Sequence, residues 1–512
     1  MKMGKGLVPL AALLLSLSSL TAQNYCGSPA GRSAWLKKYQ SHPEAFEKGT
    51  DTTMYVPLTI HLLGSDDGAG FFKLYRVFDA FCSLNRDYEQ AGIQFYIQGD
   101  IDYISNTAWN DHEEIETGAE MMFANNVENT LNVYFVANPA GNCGYNLPYG
   151  GIALNKSCSN PDDHTWAHEV GHALSLPHPF LGWEGGVSYD NSVAYDYADP
   201  APEYVTYDYT LFKSVFYPDT LIIDTAFVEK LDGSNCHIAS DGFCDTPPDY
   251  LYNRWNCDIN SLSSTLQTDP NGANFRSDGT LIMGYANDVC QGRFTPEQIA
   301  AMRAYLVNEK PEWINDQTPP DSLTMSGAVP VYPTGDELVN YQDIELTWNA
   351  VPGAVSYLVM LSTSTTFQDA TLQEFVSTDT TLLIDELLIN RRYYWRVKPF
   401  TRYQFCEPTS GTAVFRSAQV TGANRVAGIE EWRLYPNPAG ESSNIRLSAT
   451  LLKNMPISYR IHDAAGKLVG TGRAELYAGH QDISLNMPEL PKGVYWIQWT
   501  DGVHWMADKV VI

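Results

Sequence analysis

Basic residues are scarce in this chain of 512 residues, which has 32 Lys and Arg against 60 Asp and Glu and a formal net charge of −28. An acidic surface repels phosphate backbones and anionic lipid headgroups, which argues against nucleic acid and anionic membranes as partners. The acidic residues are spread along the sequence. This distribution favours a solubilising surface over a dedicated binding patch.

Long apolar segments are scarce as well. The apolar stretch 7–20 is shorter than the roughly 20 residues that a membrane-spanning helix needs. Lys2 and Lys5 precede this stretch and Ala22 follows it, a pattern typical of a secretory signal peptide over residues 1–22. No later segment is long and apolar enough to cross a bilayer. The sequence therefore predicts a soluble, exported protein without a transmembrane span.

Cysteine is infrequent, but its nine copies in an exported chain indicate disulfides and at least one odd thiol. Cys143 and Cys158 bracket a Gly-rich, hairpin-like stretch and could pair. A compact set follows, comprising Cys236, Cys244, Cys257 and Cys290. Sequence alone leaves their connectivity open.

Three histidines and a glutamate between positions 168 and 178 are the most informative residues. His168 and His172 are four residues apart, so a helix would place both imidazoles on one face. His178 joins them only if the chain turns after about residue 175. Three histidines leave the fourth position of a zinc ion open for water, and Glu169 is placed to handle the proton of that water. Two histidines at this spacing also arise by chance on surface helices, so the third carries the prediction of a catalytic metal site.

The surrounding pattern predicts an α/β domain over residues 51–315. Strands are expected at 55–63, 93–97, 131–136 and 150–154, the last of them at a sheet edge, and a helix is expected within 71–90. Residues 23–50 form a candidate pro-segment, and 179–235 are interpreted as an insertion. Thr295 is predicted to cap a helix that begins at Pro296.

Three further short motifs follow the histidines along the chain. Cys-Asp-Thr-Pro occupies 244–247, Ile-Met-Gly-Tyr occupies 282–285, and Phe-Thr-Pro occupies 294–296. Together with the His-Glu-x-x-His pattern, these pieces resemble the metzincin metallopeptidases, and within them the pappalysin-like branch of ulilysin and mirolysin. The resemblance covers about residues 51–310. It implies a zinc-dependent endopeptidase that is secreted and acts on proteins or peptides.

The resemblance also implies roles for individual residues. His168, His172 and His178 match the zinc ligands, and Glu169 matches the general base that passes a proton to the leaving amine. Met283 matches an apolar floor beneath the metal, and Tyr285 either steadies the oxyanion or is a packed aromatic. The implied disulfides are Cys236–Cys257 and Cys244–Cys290. Calcium is a further expectation, with oxygen ligands from the Asp-rich loop 241–249.

Cys26 and Ser175 both bear on the predicted zinc site. Cys26, in Cys-Gly-Ser, resembles the pro-segment cysteine whose thiolate blocks the zinc in this branch; the alternative is a disulfide with Cys82. Ser175 stands where the family has glycine, at a position that needs a left-handed backbone. There a non-glycine residue costs about 1–2 kcal/mol. This departure puts the placement of His178 in question.

Two all-β sandwich modules are predicted after the catalytic domain. Residues 321–418, with Trp348 followed by a Tyr-Trp-Arg-Val strand at 394–397, resemble a fibronectin type III domain whose plainest role is that of a spacer. Residues 430–512 begin with Tyr-Pro-Asn-Pro near 435 and end in Lys-Val-Val-Ile. They resemble the sorting domain of the type IX secretion system of Bacteroidetes, which implies that machinery as a partner.

Two other functions compete with the peptidase hypothesis. One is a catalytically inactive metzincin-fold protein used for binding or adhesion, and the other is a zinc hydrolase of a non-protein substrate. The intact Glu169 favours an enzyme, because a binding protein has no need of a general base.

Overall fold

The computed structural model describes residues 24–49, 52–210, 221–318, 326–418, 428–440, 445–502 and 504–512. The predicted signal peptide lies outside the described residues. The chain divides into two compact units, one of Met1–Phe72 and Ser83–Thr318, the other of Lys73–Cys82 and Pro319–Ile512. Within the described part, no helix is both long and apolar enough to cross a membrane.

The first unit contains thirteen strands among its described residues. They are β1 (Asn24–Cys26), β2 (Met54–Gly64), β3 (Ile93–Ile97), β4 (Asp102–Ser105), β5 (Asp111–His112), β6 (Leu131–Val136), β7 (Asn138–Pro139), β8 (Asn142–Leu147), β9 (Gly151–Asn155), β10 (Tyr204–Asp208), β11 (Ile223–Phe227), β12 (Gln267–Thr268) and β13 (Asn274–Phe275). The helices are α1 (Ala34–Ser41), α2 (Leu74–Tyr88), α3 (Thr107–Asn110), α4 (Ile115–Asn125), α5 (Thr165–Ala173) and α6 (Pro296–Glu309). The limit between the two units falls inside α2.

One mixed sheet organises this unit, with strand order β1-β8-β9-β6-β2-β3 and β4 also paired to β2. β6 and β9 are buried at every residue, as expected for parallel strands that are covered on both faces. The prediction that residues 150–154 form an edge strand is therefore wrong. β8 lies outside β9 and runs antiparallel to it. Cys143, Tyr145 and Leu147 alternate in β8 with two asparagines and a glycine, a weak strand pattern from which no strand was predicted.

The region interpreted as an insertion contributes to a buried core. β10 and β11 form an antiparallel hairpin, and residues 211–220 between them lie outside the described part. Phe180, Trp183 and Val205 pack with Tyr250 in one apolar cluster. Thr295 caps α6 as predicted, since its side chain accepts from the Gln298 N–H and Gln298 caps in return.

Four disulfides form, and two of them correct the implied connectivity. Cys143 is joined to Cys158, and Cys82 to Cys406, which excludes the alternative of a Cys26–Cys82 bond. Cys236 pairs with Cys244 and Cys257 with Cys290, in place of Cys236–Cys257 and Cys244–Cys290. The loop between Cys236 and Cys244 brings their Cα atoms to 5.0 Å from each other, so these two cysteines pair within one loop. Cys26 is the one free cysteine of the nine.

The strands of the second unit form two pairs of sheets. They are β14 (Pro330–Tyr332), β15 (Glu337–Asn340), β16 (Gln342–Trp348), β17 (Ser356–Ser362), β18 (Leu372–Ser377), β19 (Thr381–Glu386), β20 (Arg392–Phe400), β21 (Ala413–Ala418), β22 (Ile429–Tyr435), β23 (Arg446–Leu451), β24 (Met455–Asp463), β25 (Leu468–Leu476), β26 (Gly479–Ser484), β27 (Val494–Thr500) and β28 (Trp505–Val511). β14-β16-β19 and β15-β21-β20-β17-β18 share a core around Trp395. β22-β23-β26 and β25-β24-β27-β28 share a second core around Trp499.

Candidate metal centre

The three histidines converge as the spacing predicts. His168 and His172 lie one turn apart on α5, with their Nε2 atoms 3.1 Å apart. α5 ends at Ala173, Ser175 two residues later has a φ of +75°, and the Leu176 N–H closes the turn on the Gly171 carbonyl. This left-handed residue reverses the chain. The Nε2 of His178 consequently lies 3.3 Å from that of His168 and 3.1 Å from that of His172.

The other ring nitrogen of each histidine is occupied by an acceptor. His168 Nδ1 donates to the Ile282 carbonyl and His172 Nδ1 to the Leu176 carbonyl, both at 2.8 Å. A carbonyl can only accept, so both Nε2 atoms are left unprotonated. His178 Nδ1 lies 3.4 Å from a carboxylate oxygen of Glu184.

Electrostatics favour the neutral rings. Burial lowers the pKa of His168 and His172 well below the usual value, and it lowers the pKa of His178 to about 3. Neutral imidazole is the form of histidine that binds metal. Three lone pairs that face one point without protons between them repel each other unless a cation lies there.

The distances match a tetrahedral zinc site. With Zn–N bonds of about 2.0–2.1 Å and Zn–S of about 2.3 Å, tetrahedral ligands are separated by about 3.3 Å (N to N) and 3.6 Å (S to N). The three observed Nε2 separations are 3.1–3.3 Å, and Cys26 Sγ lies 3.5 Å from His172 Nε2. These four ligand atoms all lie within 4.8 Å of one another. The donor set therefore fits zinc.

Glu169 is fully buried beside the histidines. Its Oε2 accepts a hydrogen bond of 2.7 Å from the Ser28 hydroxyl, while its Oε1 has no hydrogen-bond partner among the described residues. Burial raises the pKa of Glu169 to about 7, and the Ser28 hydrogen bond opposes that rise. Gly144 leaves room for this side chain, because a Cβ there would lie 2.9 Å from Glu169 Cγ. A buried carboxylate with a free oxygen can exchange a proton with a water at the metal.

Met283 and Tyr285 both lie at the centre. Met283 is fully buried against α5, and a Cβ on Gly171 would lie only 2.3 Å from its sulfur. This glycine in the helix therefore permits the close approach of the methionine. The Tyr285 ring lies 5.0 Å from the His178 ring, and its hydroxyl donates to the Cys26 carbonyl at 3.4 Å.

Cys26 reaches the centre as part of β1. This strand pairs in parallel with β8, with Cys26 opposite Gly144, and the Gly27 N–H donates to the Gly144 carbonyl at 2.8 Å. The Ser28 hydroxyl accepts from the Asn146 N–H and donates to Glu169. Residues 24–28 consequently lie along the edge strand and contact both the histidines and the candidate base.

Sequence reasoning missed Glu184 and Ser28. In the sequence, Ser28 stands out only as part of a Cys-Gly-Ser element. Glu184 follows His178 by six residues in a turn, a spacing that belongs to no periodic element. No sequence rule links that spacing to support of a metal ligand.

A second group of buried oxygens lies around the loop 240–246. Glu229 Oε2, Ser240 Oγ, Asp241 Oδ2 and Thr246 Oγ1 are buried without hydrogen-bond partners among the described residues. Burial raises the pKa of Asp241 to about 7 and that of Glu229 to about 10, and the proximity of the two carboxylates contributes to the rise for Glu229. Unpartnered buried carboxylates are costly unless protonated or bound to a cation.

Comparisons with known proteins address parts of the chain. Residues 433–512 match the family profile described as "Secretion system C-terminal sorting domain". Serralysin B from Dickeya chrysanthemi is 36% identical over 93 residues, an alignment that covers 15% of this chain and 19% of that protein. The chain thus spans less than a fifth of the length of that curated relative.

Similar solved structures include a promirolysin mutant from Tannerella forsythia, with a TM-score of 0.37 and 16% identity over 57% of this chain and 97% of that chain. The fn3 domain of the human collagen alpha-1(XX) chain has a TM-score of 0.15 and 20% identity, over 21% of this chain and 100% of that chain. The profile match identifies the C-terminal module as a type IX secretion sorting domain. The protein is therefore secreted or held at the cell surface.

Proposed function

We propose that the protein is a secreted zinc endopeptidase of the pappalysin-like metzincin type. The observation that carries the proposal is the convergence of three histidine Nε2 atoms within 3.3 Å of one another, beside a buried carboxylate with a free oxygen. The fold supplies this geometry through α5 and the left-handed turn at Ser175. The burial of Glu169 and the closeness of Tyr285 to His178 support the proposal.

His168, His172 and His178 would hold the zinc, and each ring is kept in place by the acceptor at its Nδ1. Zinc, when bound, lowers the pKa of a water to about 7 and polarises a scissile carbonyl. Glu169 would take the proton of the attacking water and return it to the leaving amine. Its burial supports this role, since a base with a pKa near neutrality can both accept and release a proton. Tyr285, whose hydroxyl reaches the Cys26 carbonyl, would donate to the oxyanion once β1 has left.

Residues 23–50 would act as a pro-segment that keeps the enzyme latent. Cys26 Sγ supplies the fourth donor of the site, and a thiolate is a ligand that zinc accepts readily. β1 also pairs with the edge of β8, where an extended peptide would otherwise pair. The Ser28 hydroxyl donates to Glu169. The same segment therefore blocks the metal site, the candidate base and the peptide-binding edge.

The test uses the full chain loaded with zinc. Casein is the substrate. We expect cleavage after removal of the pro-segment, abolished by a chelator and by Glu169→Ala. Cys26→Ala should raise the activity of the unprocessed chain, whereas Cys26→Ala combined with Glu169→Ala should remain inactive. A zinc-loaded, processed chain that cleaves no peptide in a broad library would contradict the peptidase assignment and leave the inactive binding protein. A silent, uncleaved Cys26→Ala precursor beside an active processed enzyme would contradict latency alone.

We also propose a structural calcium ion at the loop 240–246. Two buried carboxylates that interact with each other, Glu229 and Asp241, offer the kind of oxygen ligand that calcium prefers. A divalent cation would hold Glu229 and Asp241 ionised despite their burial.

A further inference from the structure

Tyr25 immediately precedes the cysteine of the metal centre, and its side chain fills a buried pocket next to the metal ligands. The residue is 6% exposed. Its ring lies edge-on to the rings of His168 and Tyr285, with centroids 5.1 Å away in both cases. The guanidinium carbon of Arg254 lies 3.8 Å from its ring centroid, and the Tyr25 hydroxyl donates to Gln291 Oε1 at 3.4 Å. The phenol is thus contacted on its face by a guanidinium, by two neighbouring rings, and at its hydroxyl by an amide.

The pocket walls are held by contacts that do not involve Tyr25. Gln291 Nε2 donates to the Gly284 carbonyl at 2.8 Å. Arg254 is paired with Asp288, and Asp288 in turn accepts from the His164 N–H at 2.9 Å. The Cys257–Cys290 disulfide anchors the same segment. The pocket should therefore keep its shape when the N-terminal segment leaves.

The charges of the pocket disfavour a cationic side chain. Arg254 covers the ring and neutralises Asp288, the carboxylate that faces it. The other groups at the phenol are the Gln291 amide, the Thr165 hydroxyl, the Tyr285 ring and the neutral His168. A lysine or arginine in this position would meet the Arg254 guanidinium. An aromatic ring is instead stabilised by it through a cation–π contact.

We propose that this pocket selects the substrate residue that flanks the scissile bond, and that it takes an aromatic side chain. Tyr25 is the occupant that the chain itself provides, since its backbone neighbour Cys26 places its sulfur among the metal ligands. A tyrosine is favoured over a phenylalanine because only its hydroxyl satisfies Gln291. This inference rests on the proposed peptidase function.

The test uses the full chain with Tyr25→Ala and Cys26→Ala together, which removes both the ring and the thiol. Peptides that differ at one position, with Tyr, Phe, Ala or Lys, are compared by kcat/KM, and mass spectrometry locates each cut. Burying an aromatic ring is expected to raise kcat/KM by roughly 10–100-fold over Ala, with the cut always adjacent to the ring. Equal cleavage of all four peptides, or a preference for Lys, would overturn the inference.

A second experiment adds Arg254→Gln to the chain that carries Tyr25→Ala and Cys26→Ala. This substitution leaves Asp288 without its cation, so the preference should move from aromatic residues toward Lys. Gln291→Leu should remove the advantage of Tyr over Phe and leave Phe cleaved. The matched control is Arg276→Gln, which removes an ion pair with Asp258 elsewhere in the unit and should not alter selectivity. An unchanged preference in both Arg254→Gln and Gln291→Leu would count against this pocket.

Two kinds of failure can be told apart. If no peptide is cleaved, or if Glu169→Ala cleaves equally well, the peptidase function itself is wrong. If cleavage depends on Glu169 but ignores the aromatic position, only the pocket assignment is wrong.

Discussion

Each histidine of the candidate metal centre takes its orientation from a different part of the chain. His168 is fixed by a carbonyl of the methionine turn, His172 by a carbonyl of its own turn, and His178 by the carboxylate of Glu184. The third contact is the longest and the only one made by a side chain. The placement of His178 consequently depends on residues that substitution can test.

Glu184→Ala should weaken zinc binding by roughly 10- to 100-fold, the usual effect of removing a group that orients a metal ligand. Gly182 N–H fixes the other Glu184 oxygen at 2.7 Å, so the carboxylate is held in place before metal binds. Competition with a fluorescent zinc chelator measures the affinity directly. Glu203→Ala, at an exposed ion pair with Lys230, is the control. Equal zinc affinity in the two variants would rule out a positioning role for Glu184.

Ser175→Gly should stabilise the fold by up to about 1 kcal/mol, because glycine adopts a positive φ without the cost of a Cβ. Part of the gain is offset by loss of the contact between the Ser175 and Ser33 hydroxyls at 2.8 Å. Ser175→Val should instead lower stability and zinc affinity, since a branched side chain resists this backbone conformation. Thermal unfolding and zinc titration of both variants check the prediction. A more stable valine variant would show that the turn is not strained.

At the scale of elements, a strand and a helix each use a glycine to make room for a side chain of the candidate metal centre. β8 presents its free edge to β1, and Gly144 in that strand makes space for Glu169. Gly171 in α5 makes space for Met283. The loop after β11 carries the buried carboxylates of Glu229 and Asp241 and contains the Cys236–Cys244 disulfide.

Removing calcium with EGTA should lower the melting temperature, and added calcium should restore it. The reason is that Glu229 and Asp241 would lose the cation that compensates their burial. Glu229→Gln should melt at a temperature that responds less to calcium. Asp232→Asn changes an exposed carboxylate of the same region and should respond as the parent does. Identical melting curves with and without calcium would exclude the site.

At the scale of the whole molecule, the chain combines an acidic exterior with a C-terminal export module. The net charge of −28 suits a protein that works in solution outside the cell. Residues 433–512 have a core of their own around Trp499. The export signal and the metal centre therefore belong to different units of the chain.

Deleting residues 430–512 should keep the protein inside a host that has type IX secretion, while the undeleted chain reaches the medium or the cell surface. Cell fractionation followed by immunoblotting distinguishes these outcomes. The matched control is Trp496→Ala, which changes an exposed side chain of the module and should leave export intact. Export of the deleted chain would show that another segment carries the signal.

The sequence predicted the candidate metal ligands and the candidate base, and its local motifs indicated the helix start at Thr295 and the C-terminal export module. These features are local, because each depends on the spacing of residues within one element or on a contiguous motif. The strained position at Ser175 could also be predicted from the sequence, because a residue with a left-handed backbone commonly follows the end of a helix.

The pairing of β8 with β1, the partners in the other three disulfides, the positions of Glu184 and Ser28, and the pocket around Tyr25 emerged only from the fold. Each of these depends on segments that are distant in sequence and become neighbours only when the chain has folded. β1 meets β8 across more than a hundred residues, and Tyr25 meets Arg254 across more than two hundred. Spacing along a chain carries no information about such encounters, because the packing of whole elements brings these residues together.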